Sequence, residues 1–418
     1  MKALIITYYW SPSGGPGVQR WLKFVKYLPD FDVQPVVLTV DPTRAEYPVL
    51  DPSLEADVAP DLKVYRTDCK GVYEWYKKFT NTKTAPYSGF ANEGEPSILQ
   101  KIARFIRGNF FLPDARRGWI KYAFAEACRI IEKYEIDTII TTGPPHSTHL
   151  TGLKIKKKYG LRWIVDFRDP WTTIFYNDSL FQTGWAKRIN RRQEQSVLDA
   201  CDHLLLVADE REKLNIAPSK VTFLPNGFDT VDFCDKQSLE PEIFTISYTG
   251  TIAASYPTEN LLEAFAALQK EMNSKLRFAG KLTESIKRNF SEKLGDSVEF
   301  SDFVPHSDAI NIMMSSSVLL LIISKTTGNE FYPSGKLFEY VATGKPILVV
   351  GPPNGIAAQI VEQTKTGAAF DYNDTEGIKK FLLRQYQNSQ KGIQPLPDWE
   401  VIRLFSRKSL AQQLSKIF

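Results

Sequence analysis

Four residues around position 335 have the types and spacing expected of a site for a phosphate and a sugar: Ser334, Gly335, Lys336 and Glu339. Serine is a good N-cap, so a helix is predicted to begin at about Gly335. Its free backbone amides and positive dipole end suit a phosphate, and Lys336 adds a cation. Glu339 lies on nearly the same face, where its carboxylate could accept hydrogen bonds from two neighbouring sugar hydroxyls. The group indicates a nucleotide-sugar site, and the simpler alternative is an amphipathic helix with a Lys336–Glu339 surface pair.

A glycine-rich loop follows the first apolar run of the chain. It contains Gly14, Gly15 and Gly17 and leads into an amphipathic helix predicted over Val18–Leu28. The backbone of such a loop can approach a ligand closely. A dinucleotide fingerprint is one alternative, although Arg20 stands at the position of its third glycine. A loop that merely turns the chain is the other.

A histidine follows the apolar run Thr138–Thr142. At the mouth of a sheet, His146 could act as a general base or form a hydrogen bond with a sugar hydroxyl. The alternative is a helix-capping or loop residue. His149 comes three residues later, but the sequence offers no third ligand nearby, so a metal site is not predicted.

Charged and small residues also follow later apolar runs. Arg168 and Asp169 come after the run Arg162–Asp166 and suggest sugar or phosphate contacts, with an internal ion pair between them as the alternative. In the second half of the chain, the residues that suit a nucleotide diphosphate are Gly250, Thr251, Lys281 and Lys325. The candidate catalytic residues are His146, Lys281 and Lys336.

Positioning these residues requires strands that end at one edge of a sheet. Apolar runs alternate with amphipathic segments along most of the chain, which predicts an α/β protein with doubly wound parallel sheets. Twelve strands would be unusual in one open sheet, so two sheets of about six are predicted. The predicted strands are Lys2–Tyr8, Val33–Val40, Thr138–Thr142, Arg162–Asp166, Asp202–Val207, Val221–Leu224, Phe244–Thr249, Lys275–Ala279, Val298–Phe300, Val318–Ile323, Pro346–Val350 and Gly367–Phe370.

The two sheets predict two Rossmann-like domains. They are expected at 1–228 and 229–395, followed by an amphipathic helix, Asp398–Ile417, within residues 396–418. Ligands bind at the carboxyl ends of the strands in such sheets, so two domains that face each other would share one cleft. Most of the residues named above satisfy that rule.

The composition excludes several classes of protein. The net charge of +4 is too small to imply nucleic-acid binding by itself. Four widely spaced cysteines without a C-x-x-C motif argue against structural zinc and are typical of a reducing cytoplasm. No apolar run reaches the roughly 18 residues of a membrane span, and the first residues do not resemble a signal peptide. A cytoplasmic location is therefore expected.

One D-x-D motif bears on metal chemistry. It runs from Asp30 to Asp32 and precedes the second predicted strand. That is the wrong edge of a parallel sheet for a metal-bound diphosphate. Metal-independent chemistry without a cofactor is therefore expected.

A basic, aromatic-rich segment occupies residues 98–121. It contains six cations and one acid, Asp114, with apolar side chains among them. Such a segment can rest on an anionic membrane, which predicts peripheral contact at the inner membrane face. The alternative is a helix packed on the sheet with a solvated basic face.

These motifs together resemble glycosyltransferases of the GT-B fold, and glycosyltransferase family 4 in particular. The similar segments are Gly14–Gly17, Gly143–His146, Trp163–Trp171, Pro225–Asp229, Thr249–Thr251 and Pro333–Pro346. The resemblance covers nearly the whole chain and implies that the final helix crosses back to the first domain. It also implies transfer of a sugar from a nucleotide diphosphate sugar with retention at the anomeric carbon.

The resemblance also implies roles for single residues. Glu339 corresponds to the family's nucleotide-ribose glutamate, and its diphosphate-binding helix start corresponds to Ser334, Gly335 and Lys336. The residues assigned to the acceptor side are Gly14, Gly15, Gly17, His146, Arg168 and Asp169. Two features depart from the family pattern. Phe331 holds the position of the first of two glutamates, and Thr249–Gln269 lacks the usual Arg and Lys.

Three hypotheses follow. The first is a retaining, hexosyltransferase-type glycosyltransferase of bacterial surface polysaccharide synthesis, with a glycan or a lipid-linked sugar as acceptor. The second is a nucleotide-sugar epimerase on the same fold, which would need acid and base groups at the site. The third is a catalytically silent binding subunit, which the two departures from the family pattern would explain.

Overall fold

The computed structural model describes residues 1–45, 47–69, 98–234, 241–253, 256–302 and 304–418. The chain forms two compact units. The first unit is Met1–Pro225 together with Leu410–Phe418, and the second unit is Asn226–Ser409. The division therefore falls after Pro225, slightly before the boundary expected after residue 228.

The described strands of the first unit are β1 (Lys2–Ile6), β2 (Gln34–Val40), β3 (Lys63–Thr67), β4 (Thr138–Gly143), β5 (Arg162–Phe167), β6 (His203–Leu206) and β7 (Val221–Phe223). They form a parallel sheet in the order β3-β2-β1-β4-β5-β6-β7. The described helices are α1 (Pro16–Tyr27), α2 (Ile98–Phe110), α3 (Ile120–Tyr134), α4 (Ser147–Tyr159) and α5 (Gly184–Ala200). The order reverses between β1 and β4, so the loops after these strands lie at the topological switch point, where ligands bind in such sheets.

One strand of the first unit, β3, was not predicted from the sequence. Lys63 and Arg66 interrupt its apolar residues, and none of its five residues is buried. An edge strand of this kind lacks the continuous apolar run that marks interior strands. The other strands agree with the predicted ranges to within two residues at each end.

The described strands of the second unit are β8 (Phe244–Thr249), β9 (Ser274–Ala279), β10 (Val298–Ser301), β11 (Val318–Ile322), β12 (Ile347–Val350) and β13 (Gly367–Phe370). They form a parallel sheet in the order β10-β9-β8-β11-β12-β13. The described helices are α6 (Glu259–Leu268), α7 (Glu284–Leu294), α8 (His306–Met314), α9 (Gly335–Thr343), α10 (Ile356–Gln363), α11 (Thr375–Gln390), α12 (Trp399–Leu404) and α13 (Arg407–Ser415), which extends into the first unit. This sheet reverses between β8 and β11, which places the loop after β8 at its switch point.

Apolar strands covered by helices form the core of each unit. In the first unit, Leu4 and Ile139 belong to one apolar cluster, whereas their neighbours Ile5 and Ile140 belong to another. This alternation is expected when both faces of a sheet are covered. In the second unit, β12 is fully buried and pairs with β11 and β13, which confirms the predicted central strand. The predicted pair of doubly wound, Rossmann-like units is therefore confirmed.

The C-terminal segment differs from the single helix predicted over Asp398–Ile417. It forms two helices, α12 and α13, with a break at Phe405 and Ser406. The Ser406 hydroxyl accepts a hydrogen bond from the backbone N–H of Ser409 at 3.1 Å, so it caps the second helix. Beyond the break, Leu410 and Leu414 pack into an apolar cluster of the first unit.

Candidate functional site

The start of α9 agrees with the sequence, but Ser334 does not cap it as expected. The helix begins at Gly335, and the side chain of Ser334 forms no capping hydrogen bond. Ser334 has a φ of 62°, which is uncommon for a residue with a side chain and indicates local strain. Because Ser334 does not cap them, the first amides of α9 suit an anion.

Lys336 is the second residue of α9, and a phenol is its partner. Its Nζ donates a hydrogen bond to Oη of Tyr248 at 2.6 Å and lies 4.1 Å from the centre of that ring. Among the described residues, no carboxylate lies within 4 Å of Nζ, so the Lys336–Glu339 surface pair does not form. Burial lowers the pKa of Lys336 to about 7, while the negative charge of Glu339 opposes this shift.

The carboxyl end of β8 lies against the same ammonium group. Gly250 has a φ of 116°, and a Cβ on it would lie 2.8 Å from Nζ of Lys336. The carbonyl of Thr251 accepts a hydrogen bond from the Tyr248 hydroxyl at 3.0 Å. Gly280, at the end of β9, packs so closely that a Cβ there would overlap the Gly250 carbonyl. The structure therefore brings Gly250, Thr251 and Lys336 together, as the strand-edge rule predicted.

Glu339 lies in a small polar cluster of the second unit. About a quarter of its side chain is exposed, and its Oε1 is 3.9 Å from Nδ1 of His306. The other ring nitrogen of His306 is 3.4 Å from Oδ2 of Asp232. Burial raises the pKa of Glu339, while His306 and Arg407 act in the opposite direction. A partly exposed carboxylate of this kind remains available to sugar hydroxyls.

Two further lysines of the predicted donor site lie apart from this cluster. Lys281 is exposed after β9, and its backbone carbonyl accepts a hydrogen bond from Ile252 N–H at 2.9 Å. Lys325 is exposed after β11, with its Nζ 5.8 Å from the ring centre of Tyr372. Neither ammonium group has a described contact with Lys336 or Tyr248. Their role at a diphosphate stays a prediction.

The glycine loop of the first unit approaches a basic side chain. Gly15 precedes α1 with a φ of 105°, and Gly14 donates to the Val49 carbonyl at 3.0 Å. A Cβ on Gly17 would overlap the guanidinium group of Arg168. The loop after β1 and the residue after β5 therefore meet at the edge of the first sheet.

Arg168 does not form the ion pair with Asp169 that was one sequence interpretation. Its guanidinium group donates hydrogen bonds to the carbonyls of Gly143 and Pro144 instead. Burial raises the pKa of Asp169, and the Arg168 charge opposes that rise. Sugar or phosphate contacts through these two residues stay a prediction.

Arg20, at the third fingerprint position, is fully buried and forms an ion pair with Asp166. Its Nη2 is 2.9 Å from Oδ1 of Asp166, and its Nη1 donates to the Pro225 carbonyl at 2.9 Å. The Trp21 indole and the Thr142 hydroxyl also donate to Asp166. The Asp166 carboxylate balances the Arg20 charge, and both of its oxygens accept hydrogen bonds. Because this cluster joins α1 to β5 and leaves no charge unbalanced, we interpret it as structural.

His146 is buried after β4 and does not cap α4. Its ring stacks on Trp171 at 4.9 Å between centres, with 8° between the planes. Asp114 caps the helix instead, accepting hydrogen bonds from Ser147 N–H at 2.7 Å and from its hydroxyl at 2.8 Å. Burial and the Arg168 charge lower the pKa of His146 to about 3, so the ring is neutral and a weak base near neutral pH.

Metal ligands are not grouped in the described part of the chain. No set of three or more His, Cys, Asp or Glu residues there could hold a metal ion. The D-x-D motif lies in the turn before β2, at the amino edge of the first sheet, where Asp32 has a φ of 61°. Metal-independent chemistry stays a prediction.

Sequence reasoning missed two partners of the site, Tyr248 and His306. Tyr248 directly precedes the segment Thr249–Thr251 that the sequence did indicate, but an aromatic residue in an apolar strand suggests core packing. His306 begins α8, 33 residues before its neighbour Glu339. A contact of this kind depends on the sheet order, which local spacing does not give.

Residues 244–388 match the family model described as glycosyl transferases group 1. The match covers most of the second unit, including β8 and α9. This part of the chain is therefore similar to the group 1 glycosyl transferases. No curated protein matches the sequence.

Solved structures extend the likeness to the whole chain. A glycosyltransferase from Rickettsia africae is 13% identical, with a TM-score of 0.62 and coverage of 100% of this chain and 97% of that chain. The lipopolysaccharide outer core galactosyltransferase WaaB is 12% identical, with a TM-score of 0.59 and coverage of 100% and 99%. Anabaena HepE in complex with UDP is 12% identical, with a TM-score of 0.61 and the same coverage. The chain thus has the GT-B fold, while assignment to glycosyltransferase family 4 stays a prediction.

Proposed function

We propose that this protein transfers a sugar from a nucleotide diphosphate sugar to a glycan or lipid-linked acceptor, with retention and without a divalent metal. The observation that carries the proposal lies where the end of β8 meets the start of α9. There Lys336, which has no carboxylate partner among the described residues, lies beside Gly250 and a helix start that Ser334 does not cap. An anion with two phosphates suits this combination of amides and a cation. HepE, with the same fold, binds UDP and UDP-glucose, which supports a nucleotide sugar as donor.

The arrangement favours departure of the diphosphate. In the proposed reaction the bond from the anomeric carbon to the β-phosphate oxygen breaks, and the acceptor hydroxyl forms a new bond on the same face. The acceptor proton passes to a phosphate oxygen of the leaving group, so no pair of catalytic carboxylates is needed. The α9 amides and Lys336 stabilise the charge that develops on the leaving diphosphate. Glu339 holds the ribose hydroxyls.

We assign acceptor contacts to the first unit. The candidates are the loop Gly14–Gly17, together with His146, Arg168 and Asp169. Arg168 contacts the loop directly and so links the two parts of this surface. His146, as a neutral ring, would form hydrogen bonds with an acceptor and would not remove its proton. WaaB acts on lipopolysaccharide, which supports a role in bacterial surface polysaccharide synthesis.

One observation favours a second candidate, the silent binding subunit. Phe331 replaces an expected glutamate, and Thr249–Gln269 contains neither Arg nor Lys. Lys336 supplies a positive charge in place of the Arg and Lys missing from Thr249–Gln269. It does not replace the glutamate expected at position 331. The epimerase alternative is disfavoured, because His146 is buried and weakly basic.

The test is a panel of UDP-, GDP- and dTDP-sugars. Binding is followed by thermal unfolding, since a ligand at 100 times its dissociation constant adds about 2.7 kcal/mol of stability. Release of nucleoside diphosphate, with and without a glycan acceptor, then measures turnover. Binding with turnover supports the transferase, and binding without turnover supports the silent subunit. Failure of the whole panel to bind contradicts both.

We also propose that the first unit contacts an anionic membrane surface, through α2 and its neighbours. The exposed apolar side chains there are Ile98, Leu99, Ile102, Phe105, Phe110, Phe181 and Trp185. Asn109 joins the two segments, donating to the Phe181 carbonyl at 3.1 Å and accepting from Thr183 N–H at 2.7 Å. An open cavity of about 580 Å³ next to this patch is lined by Gly184, Arg188, Arg191, Arg192 and Gln195. Apolar side chains beside arginines suit an anionic bilayer.

The surface proposed for this contact is narrower than the segment 98–121. Trp119, within the segment 98–121, is buried, and its indole donates to Thr67 at 2.8 Å, so the exposed large apolar side chains of this segment are those of α2. Instead of packing on the sheet, α2 packs on residues 175–183 and α5. No described helix is long and apolar enough to cross a membrane.

Vesicle flotation tests the membrane proposal. The protein should float with phosphatidylglycerol vesicles and not with phosphatidylcholine vesicles. Phe105→Ser and Trp185→Ser should each weaken this binding, and 0.5 M salt should reduce it through screening. Leu396→Ser, at an exposed apolar residue of the second unit, is the matched control. Equal binding by all variants would contradict the assignment of this face.

A further inference from the structure

Tyr248 connects Lys336 to the backbone of the β8 loop. Its hydroxyl accepts a hydrogen bond from Lys336 at 2.6 Å and donates one to the Thr251 carbonyl at 3.0 Å. The ring is fully buried, and the Lys336 ammonium group lies over its face at 4.1 Å. The phenol thus uses both its donor and its acceptor capacity to hold one cation against one loop.

Neighbouring contacts fix this end of β8. The backbone N–H of Thr249 donates to the Tyr340 hydroxyl at 2.9 Å, and that of Gly250 donates to the Ala279 carbonyl at 2.7 Å. Gly280 packs directly on the Gly250 carbonyl. Tyr248 is therefore held on a rigid element, so the place where it holds the ammonium group is also fixed.

We propose that Tyr248 is a positioning residue whose phenol holds the Lys336 ammonium group beside Gly250 for the donor diphosphate. This inference rests on the proposed donor site. The segment Thr249–Gln269 lacks the usual Arg and Lys. In this proposal, Lys336, held by Tyr248, compensates the diphosphate charge in their place. Lys336 contacts the donor, whereas Tyr248 acts through Lys336.

Protonation of Lys336 then becomes linked to donor binding. Burial lowers its pKa to about 7, so the free protein carries a partly deprotonated Lys336 near neutral pH. A bound diphosphate favours the charged form, so binding takes up a proton, and donor affinity falls as the pH rises above 7. The titratable groups around Lys336 are Tyr248 on β8, Glu339 on α9 and, beside Tyr248, Tyr256 and Tyr340.

Calorimetric titration of a donor in two buffers with different ionisation enthalpies measures this uptake. The donors are UDP-glucose, GDP-mannose and dTDP-glucose, because a free nucleoside diphosphate has a terminal phosphate that itself titrates near pH 6. At pH 7.5 the wild type should take up about three quarters of a proton per donor bound. Lys336→Met should abolish the uptake and weaken binding about 10–100-fold at pH 6.5.

A double-mutant cycle separates positioning from a structural role. Tyr248→Phe keeps the ring and removes the hydroxyl, so it should weaken donor binding about 3–10-fold in the wild type. The same change should have no further effect in the Lys336→Met background, since the partner is gone. Lys270→Met, at an exposed lysine after α6, is the charge control.

Each outcome decides between the proposals. Proton uptake that depends on Lys336, and a Tyr248 effect confined to proteins that contain Lys336, support the inference. An equal Tyr248 effect in both backgrounds, or unchanged uptake in Lys336→Met, overturns it while leaving the donor site intact. Failure of the wild type to bind any of the three donors contradicts the proposed function itself.

Discussion

The two units place a cation at the edge of a parallel sheet in different ways. Arg20 of the first unit is fully buried, meets Asp166 through two hydrogen bonds and donates a third to Pro225. Lys336 of the second unit is partly exposed and donates to the phenol of Tyr248. Position at a strand edge therefore does not distinguish a structural cation from a ligand-binding one. The two kinds of cation differ instead in the number and the charge of their hydrogen-bond partners.

The difference has an energetic basis. A buried charge is tolerated when its partner is charged and the remaining hydrogen bonds are made, as around Asp166. A lysine has three donors, and Tyr248 accepts from one of them without balancing the charge. The Arg20–Asp166 pair therefore stabilises the protein without a ligand. The Lys336–Tyr248 hydrogen bond leaves the charge of Lys336 to be balanced by an anion.

The largest expected effect comes from breaking the structural pair. Asp166→Asn leaves the Arg20 charge buried and unbalanced, which should lower the free energy of unfolding of the first unit by about 3–5 kcal/mol. Urea unfolding followed by tryptophan fluorescence measures it, because seven of the eight tryptophans lie in residues 1–225. The double variant Arg20→Met with Asp166→Asn should lose less than the sum of the single variants. If the losses in the free energy of unfolding were additive, the Arg20–Asp166 pair would not be their cause.

The second effect concerns the carboxylate of the binding cluster. Glu339→Ala removes charge-assisted hydrogen bonds worth about 1.5–3 kcal/mol, or about a 10–100-fold loss of nucleotide affinity. Glu339→Gln should fall between the wild type and Glu339→Ala, and unfolding should change little, since a helix accepts alanine well. Calorimetric titration compares both with Glu292→Ala, at an exposed glutamate on α7. Equal dissociation constants would place Glu339 outside the site.

The exposed lysines sharpen the comparison within the second unit. Lys281→Met and Lys325→Met should each weaken donor binding by no more than about fivefold, because exposed charges are screened and contribute about 1 kcal/mol or less. The donor is titrated in 0.05 M and in 0.3 M salt, and the effect of each substitution on affinity should be smaller at the higher salt concentration. A loss larger than that of Lys336→Met would assign the diphosphate to one of them instead.

The smallest expected effect is that of chelation. EDTA should leave turnover largely unchanged, since the proposed charge compensation comes from α9 amides and Lys336. The control is reconstitution with magnesium or manganese in the same assay. Activity that disappears with EDTA and returns with either ion would show that the diphosphate binds through a metal.

The sequence predicted the repeated pattern of the fold well, because interior strands and the start of α9 have local signals. All twelve predicted strands are present, whereas the edge strand β3 lacks such a signal. Side-chain partners were harder to predict. Arg20 and Asp166 are 146 residues apart, and Tyr248 and Lys336 are 88 apart, so their contacts follow from the sheet order alone.

Local conformations that are unusual for a residue or its segment were also not predicted from the sequence. Ser334 was predicted to cap α9 through its side chain, but its positive φ turns the residue away from that role. Phe405 and Ser406 interrupt a segment whose apolar stripe continues, because a hydroxyl cap begins a new helix there. The break at Ser406 is a case in which one local hydrogen bond outweighs the apolar periodicity.

The return of Leu410–Phe418 to the first unit has a consequence for the order of synthesis. These residues leave the ribosome after the whole second unit, yet Leu410, Ala411 and Leu414 are fully buried in the first. Until then, the apolar surface that they cover stays open on the nascent chain. Since domains generally fold as units during synthesis, the first unit completes its core last although its sequence comes first.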